Sequence, residues 1–298
     1  MFRTLLRTTL PLTAALLLLT CAAMLLAPRL PGGGTIIYGS TVLEQRYAHD
    51  VALRVTIHHP ENSSVLPTRP TSWASDYNTV LFRATPQLLA PQLWLMDVSG
   101  GVLPPYTAIQ PLAAHLTDAV FYALSPDGAQ IAYVRNNAIW IRSIETGEEW
   151  LAHSLGQNLE MDWSPDGKTL LFRSRRQMHD EVYLLDLDTR RESLINTHSI
   201  AKFSPTFSPN GRYAAYVANG VTADDIYVTD LTTGDYWPVT NGGFNYQPQW
   251  SPDGTQLVFV MPRSRSQGNT IAIADMYGER IRHVSTRGPG YNYPVWLP

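Results

Sequence analysis

WSPDGKTLLFRSRRQMHDEVYLLDLDT (163–189) contains the pattern that decides the fold: a Ser-Pro-Asp-Gly turn, an apolar strand, a polar loop, a second apolar strand and an acidic turn. The tetrapeptide recurs as Ser125-Pro126-Asp127-Gly128, Ser164-Pro165-Asp166-Gly167, Ser208-Pro209-Asn210-Gly211 and Ser251-Pro252-Asp253-Gly254, at spacings of 39, 44 and 43 residues. Proline presets φ for the first turn position, Asp or Asn caps the turn through its side chain, and glycine takes the left-handed conformation. Each tetrapeptide is therefore read as closing a hairpin, and Asp127, Gly128, Asp166, Gly167, Asn210, Gly211, Asp253 and Gly254 as turn residues rather than catalytic ones. Apolar strands follow at Ile131–Val134, Leu170–Phe172, Tyr213–Val217 and Leu257–Val260. Third strands follow within 139–149, 182–192, 226–236 and 271–281, and a short fourth strand precedes the next turn, as at Trp237–Thr240. Four strands per unit, at a period near 44, predict an all-β, single six-bladed β-propeller of four-stranded blades.

Two units are degenerate. Trp73-Ala74-Ser75-Asp76 aligns with Trp163-Ser164-Pro165-Asp166, Thr79–Phe82 with Thr169–Phe172, and LWLMDVSGG (93–101) supplies a third strand. Thr35–Tyr38 and Val51–Ile57 read as second and third strands of a unit without a first. Tyr293–Pro298 matches Gln247–Pro252 and stops, which predicts that the C-terminal strand completes the first blade and removes a free sheet edge.

Composition agrees with this reading. Of 298 residues, 44% are hydrophobic and 16% charged, enough for a large core, and 22 prolines and 20 glycines suit many short strands with tight turns. The formal charge of −3 argues against a generally basic nucleic-acid binder. The only cysteine, Cys21, leaves the remaining chain without disulfide, thiolate ligand or cysteine nucleophile. Cys21 lies in an uncharged run from Thr9 to Ala27, preceded by Arg3 and Arg7. Nineteen residues at 1.5 Å rise span roughly 28 Å, close to the hydrocarbon core of a bilayer. Residues 1–27 are read as a signal anchor, with a cleaved signal peptide or lipidation at Cys21 as alternatives. Every version exports the domain to the periplasmic or extracellular side, and the anchor would hold it at the membrane through residues 9–27. PRLPGGG (28–34) is the linker, and 35–298 the propeller.

The repeat resembles that of the TolB-type (WD40-like) β-propeller family, most clearly over 163–192, 207–236 and 250–281. Family members include the periplasmic TolB protein, propellers that precede peptidase domains, and some sugar lyases. Unlike TolB, this chain shows no amino-terminal α/β domain, and unlike the peptidases, no hydrolase domain and no G-x-S-x-G elbow. The resemblance implies an exported scaffold that binds a partner.

Candidate functional residues follow from where loops gather. The loops after the second strand carry Arg83, Arg135, Arg173, Arg175, Arg176 and His179, then Arg263 and Arg265. This predicts a local positive rim suited to an acidic protein or peptide segment, a glycan or phospholipid headgroups, or a solvated loop set whose arginines pair with acids such as Asp180 and Glu181. Loops entering blades add Phe244, Tyr246, Tyr291 and Tyr293, residue types enriched in binding hot spots or used to pack blades together. His115, His153 and His198 each precede a new blade. Were they to converge, they would support the alternative function of a metal-assisted carbohydrate lyase or hydrolase at the channel mouth. The expectation is a monomeric, non-catalytic propeller that needs no metal or cofactor.

Overall fold

A computed structural model describes residues 35–40, 45–50, 55–59, 70–73, 79–84, 92–97, 108–111, 121–176, 179–196, 201–220, 223–264, 268–284 and 291–297. The expected anchor, its cysteine and the linker lie outside the described residues. Among those described, no helix is long and apolar enough to cross a membrane.

The described strands make six four-stranded antiparallel sheets. The first joins β1 (Thr35–Ser40), β2 (Gln45–Asp50) and β3 (Val55–His59) to the C-terminal β24 (Tyr291–Leu297). The second holds β4 (Pro70–Trp73), β5 (Thr79–Ala84), β6 (Gln92–Asp97) and β7 (Ala108–Pro111). The third holds β8 (Tyr122–Leu124), β9 (Gln130–Arg135), β10 (Ala138–Ser143) and β11 (Glu149–His153). The fourth holds β12 (Gln157–Trp163), β13 (Thr169–Arg176), β14 (His179–Asp186) and β15 (Glu192–Leu194). In the fifth are β16 (Ala201–Phe207), β17 (Tyr213–Asn219), β18 (Asp224–Asp230) and β19 (Tyr236–Pro238). The sixth has β20 (Tyr246–Trp250), β21 (Gln256–Ser264), β22 (Gly268–Asp275) and β23 (Ile281–His283).

The inner strand is the first in chain order in five of the sheets and β24 in the remaining one. β4 touches β8, β8 touches β12, β12 touches β16, β16 touches β20, and β20 touches β24, so the sheets succeed one another around an axis. β24 lies against β1 with Thr35 opposite Leu297 and Ile36 opposite Trp296. In this sheet the third strand falls at Gln45–Asp50 and the fourth at Val55–His59, not at a single strand over 51–57 as the sequence reading had it. The polar run Gln-Arg-Tyr-Ala-His-Asp hides a strand because backbone pairing to β1 on one side and β3 on the other, rather than apolar content, sets it.

Each Ser-Pro-(Asp/Asn)-Gly turn is built alike. In the third sheet, Ser125 Oγ donates to Asp127 Oδ1 at 2.6 Å and accepts from Gln130 N at 2.8 Å, while Asp127 Oδ1 accepts from Ala129 N at 3.0 Å. The same three bonds recur around Ser164, Ser208 and Ser251. These bonds hold the Asp127 and Asp166 carboxyls below the usual range, the serine hydroxyl contributing most. Glycine is favoured by the left-handed backbone, φ +71° at Gly211, where a Cβ would only touch Pro165 of the preceding turn at an ordinary contact distance of 3.4 Å. Gly254 bears on Pro209 in the same way, at 3.5 Å. Consecutive turns thus rest on one another around one end of the molecule.

Neighbouring sheets are also joined by indoles. Trp163 on β12 donates through Nε1 to Ala123 O on β8 at 3.1 Å, and Trp250 on β20 to Thr206 O on β16 at 3.3 Å. Both side chains are nearly fully buried. Substituting Trp163→Phe keeps an aromatic ring but removes the N–H that joins β12 to the Ala123 carbonyl, which still pairs with β9. The expected loss is about 1 kcal/mol of unfolding free energy with little change in the urea m-value, measured by equilibrium denaturation.

Candidate functional site

The strand order puts the Ser-Pro-Asp-Gly turns and the third-to-fourth-strand turns at one end of the sheets. The second-to-third-strand loops and the links between sheets gather at the other, the loop face. Inner strands are irregular just where they reach it. Register shifts fall between Asn158 and Met161 on β12, Phe203 and Thr206 on β16, and Tyr246 and Gln249 on β20. Ser204 (φ 51°) and Gln247 (φ 56°) adopt left-handed backbone there, each just before a proline that needs no ladder partner. Such bulges bend the strand and re-aim its side chains.

A second regularity lies five residues before each inner-strand aromatic. Asn158 precedes Trp163, Lys202 precedes Phe207, and Asn245 precedes Trp250. All three are 0–1% exposed, and each grips the loop end of the preceding sheet. Asn158 Nδ2 donates to Asn137 O at 2.6 Å, in the β9–β10 turn whose Asn136 and Asn137 both have positive φ. Lys202 Nζ pairs with Glu181 Oε2 on β14 at 2.5 Å. Asn245 Nδ2 donates to Thr240 Oγ1 at 3.1 Å and to Asp225 Oδ1 at 3.4 Å, and its backbone N to Asp224 O at 2.8 Å. The sequence reading did not single out these positions. The signal was a fixed offset occupied by a polar residue, which becomes visible only when the repeats are aligned on the aromatic.

The rim arginines are matched by carboxylates. Arg173 makes two 3.0 Å bonds to Glu160 and a third, at 3.1 Å, to Asp180. Asp180 also pairs with Arg175 at 2.8 Å, and the two guanidiniums hold its carboxyl below the ordinary range against the opposing effect of burial. Arg176 is bidentate to Glu192, at 2.8 and 2.7 Å, and lies 4.0 Å over the Tyr183 ring. Arg135 pairs with Glu149 at 3.3 Å and covers Trp140 at 4.5 Å. This end therefore carries a cross-braced frame of paired charge in which these four cations are compensated. Arg83 ends on β5 and Arg263 on β21, with side chains outside the description, as are those of Tyr291 and Tyr293 on β24; Arg265 lies outside the described residues.

Tyr246 packs between the fifth and sixth sheets, and its hydroxyl accepts from Asn269 Nδ2. Phe244 is different: it is 58% exposed, on the link from β19 to β20. Leu155, on the link from β11 to β12, is 59% exposed. These two apolar side chains stand out from the charged frame on the same face.

His153 lies on the outer strand β11, away from the inner strands. Its Nε2 sits 3.0 Å from Arg176 Nη2 and 3.3 Å from Glu192 Oε2, and burial lowers its pKa. His115 and His198 lie outside the described residues. Among those described, no group of three or more His, Cys, Asp or Glu is placed to hold a metal ion.

A family model described as the TolB beta propeller domain matches residues 110–298, well over half of the chain. The chain belongs to the TolB β-propeller family. It is 23% identical over 256 residues to the Tol-Pal system protein TolB of Francisella tularensis, covering 75% of this chain and 58% of that one. It is 26% identical over 157 residues to an uncharacterised protein of Agrobacterium fabrum, covering 47% and 54%. The chain thus spans little more than half the length of either relative. Among solved structures, TolB from Acinetobacter baumannii superposes with a TM-score of 0.73 at 19% identity, over 89% of this chain and 67% of that one. An oligogalacturonate lyase from Vibrio parahaemolyticus superposes at 0.57 with 11% identity, over 86% and 74%. At these identities the likeness shows a shared fold.

One titration at the inner strands is large enough to test. Asp162 on β12 turns its carboxylate toward β16, where Oδ2 accepts from Phe207 N at 2.8 Å and Thr206 Oγ1 at 3.1 Å. Desolvation outweighs these bonds and raises the pKa from 3.8 to about 6. The folded state then binds this proton more tightly than the unfolded state. The resulting stability is fully present below pH 3.8 and lost as pH rises through about 6. The shift corresponds to roughly 3 kcal/mol. Denaturation of Asp162→Asn as a function of pH is expected to show that component missing, while the remaining carboxylates still titrate.

Proposed function

We propose that the protein is a non-catalytic cell-envelope scaffold that docks a protein or peptide partner through the loop face around the channel mouth. The observation that carries this reading is the pairing of Leu155 and Phe244, each more than half exposed, with a braced frame of ion-paired arginines. A rigid polar rim around exposed apolar anchors is the composition of a protein-binding surface, in which few residues carry most of the energy. Ion pairs already satisfied within the frame give orientation and specificity more than attraction, so the partner's affinity rests on the apolar anchors. Membership in the TolB family supports the same reading, since the Francisella relative is named as part of the Tol-Pal system. The N-terminal run from Thr9 to Ala27 would hold the propeller at the membrane or export it, on the periplasmic or extracellular side.

The test replaces Phe244 with a photo-crosslinking amino acid in the full-length protein, expressed in its own host. A discrete cross-linked band is expected, and Leu155→Asp should remove it. With the partner in hand, Phe244→Ala is expected to weaken binding by roughly 30-fold, the cost of a hot-spot truncation. Absence of any cross-link, together with turnover of acidic oligosaccharides by the purified protein, would overturn this function in favour of a lyase or hydrolase.

A further inference from the structure

The turn between β22 and β23, at the end opposite the loop face, departs from the repeat. The corresponding turns read Ile144-Glu145-Thr146-Gly147, Leu187-Asp188-Thr189-Arg190 and Leu231-Thr232-Thr233-Gly234 in the third, fourth and fifth sheets. In the sixth the turn is Met276-Tyr277-Gly278-Glu279, of the same length but with its glycine one position earlier and a tyrosine where the other turns place threonine or a charged residue. It leans onto the fifth sheet. Gly278 has φ +76°, and a Cβ there would overlap the Val239 carbonyl oxygen, so only glycine permits the approach.

The approach builds a stack. Tyr277 lies on Trp237 of β19, with centroids 5.6 Å apart and planes 23° from parallel. The Trp237 indole donates to Met276 O at 2.8 Å, which fixes the lower ring. Behind it Tyr213 meets Trp237 edge-on at 6.1 Å and stacks on Trp250 at 6.4 Å, so the column is rooted in the core. Its outer end is open: Tyr277 is 60% exposed, and the neighbouring Tyr236 on β19 is 44% exposed.

Charge around the open end is mainly negative. Asp275 and Glu279 flank Tyr277 on the same turn, where Asp275 Oδ1 accepts from the backbone N of both Tyr277 and Glu279 at 3.1 Å. Asp235 precedes Tyr236 and Trp237. Arg212, which covers Tyr213 and lies within electrostatic reach of Tyr277, is paired with Asp230 at 2.7 Å, and Arg280 adjoins Glu279 in the chain. Among the described residues neither Glu279 nor Asp235 has a salt-bridge partner.

We propose that the Tyr277–Trp237 stack is a second docking platform, which takes a lysine or arginine side chain from a basic peptide segment of a partner protein. The electron-rich ring face attracts a cation, the carboxylates of Asp275 and Glu279 add a longer-ranged pull, and a pre-stacked ring loses little entropy on binding. The platform is distant from Leu155 and Phe244, so it stands or falls separately from the loop-face function.

The test uses the full-length protein and a hexa-arginine peptide, followed by tryptophan and tyrosine fluorescence. Binding that weakens with salt is expected. Tyr277→Ala should reduce affinity roughly three- to tenfold, the scale of a cation–π contact, while Tyr277→Phe retains it. Glu279→Gln should flatten the salt dependence, and Phe244→Ala should change nothing. Thermal melts of the variants show whether the fold is intact. Equal affinity in Tyr277→Ala, no binding of the peptide, or preferential binding of a neutral oligosaccharide would each overturn the platform.

Discussion

Each four-stranded sheet has two apolar faces, and neither can be left to water. Alternate residues of one strand go to different neighbours. On β13, Leu170 and Phe172 join the third sheet, whereas Leu171 joins the fifth. On β17, Ala214 and Tyr216 face the fourth sheet and Ala215 and Val217 the sixth. On β21, Leu257 and Phe259 face the fifth, while Val258 and Val260 reach Trp296 on β24. A sheet buried on both sides explains why second strands read as unbroken apolar runs rather than alternating ones. It also makes every sheet depend on two neighbours, which an arrangement around an axis satisfies.

That dependence determines where polar residues can enter. Apolar packing holds the middle of each sheet pair, so position along the strands must be set at the ends. At one end the task falls to serine, aspartate and glycine, repeated almost unchanged. At the other it falls to Asn158, Lys202 and Asn245, which perform the same inter-sheet grip with different chemistry. The buried amide and ammonium N–H groups are tolerated there because each donates to the preceding sheet, whereas the Oδ1 atoms of Asn158 and Asn245 find no hydrogen-bond partner; an unpaired donor would cost a desolvation penalty of roughly 1–3 kcal/mol or more. Lys202 with Glu181 shows how far the position can drift while keeping its role.

Legibility in the sequence followed this division. The Ser-Pro-Asp-Gly turns were readable, because proline, aspartate and glycine encode local backbone geometry that requires no knowledge of neighbours. Four-stranded units were readable for the same reason. The Gln45–Asp50 strand was not, since its place comes from hydrogen bonds to β1 and β3 and its composition resembles a loop. At the loop face, the arginine-rich strand ends were visible but their charge balance was not. Glu160 and Glu192 lie 13 and 16 residues from the arginines they neutralise, on other strands of the sheet. Exposure of Phe244 against partial burial of Tyr246, two residues away, was likewise set by a neighbouring sheet rather than by residue type.

A repeat fold separates conservation of geometry from room for function, because whatever every blade must share is taken up by folding. The Ser-Pro-Asp-Gly turns are shared and therefore say little about activity, however charged they are. Residues that differ between equivalent positions are the informative ones. Leu155 and Phe244 sit on links whose lengths and compositions vary, and Tyr277 sits where other blades place threonine or a charged residue. These exceptions leave an exposed apolar group beside ion pairs at Leu155's end of the fourth sheet, on a hydrogen-bonded link at Phe244, and on stacked rings at Tyr277. Rigid support lowers the entropy lost when a partner binds, so the parts of the blades that depart from the repeat are also the parts best prepared for recognition.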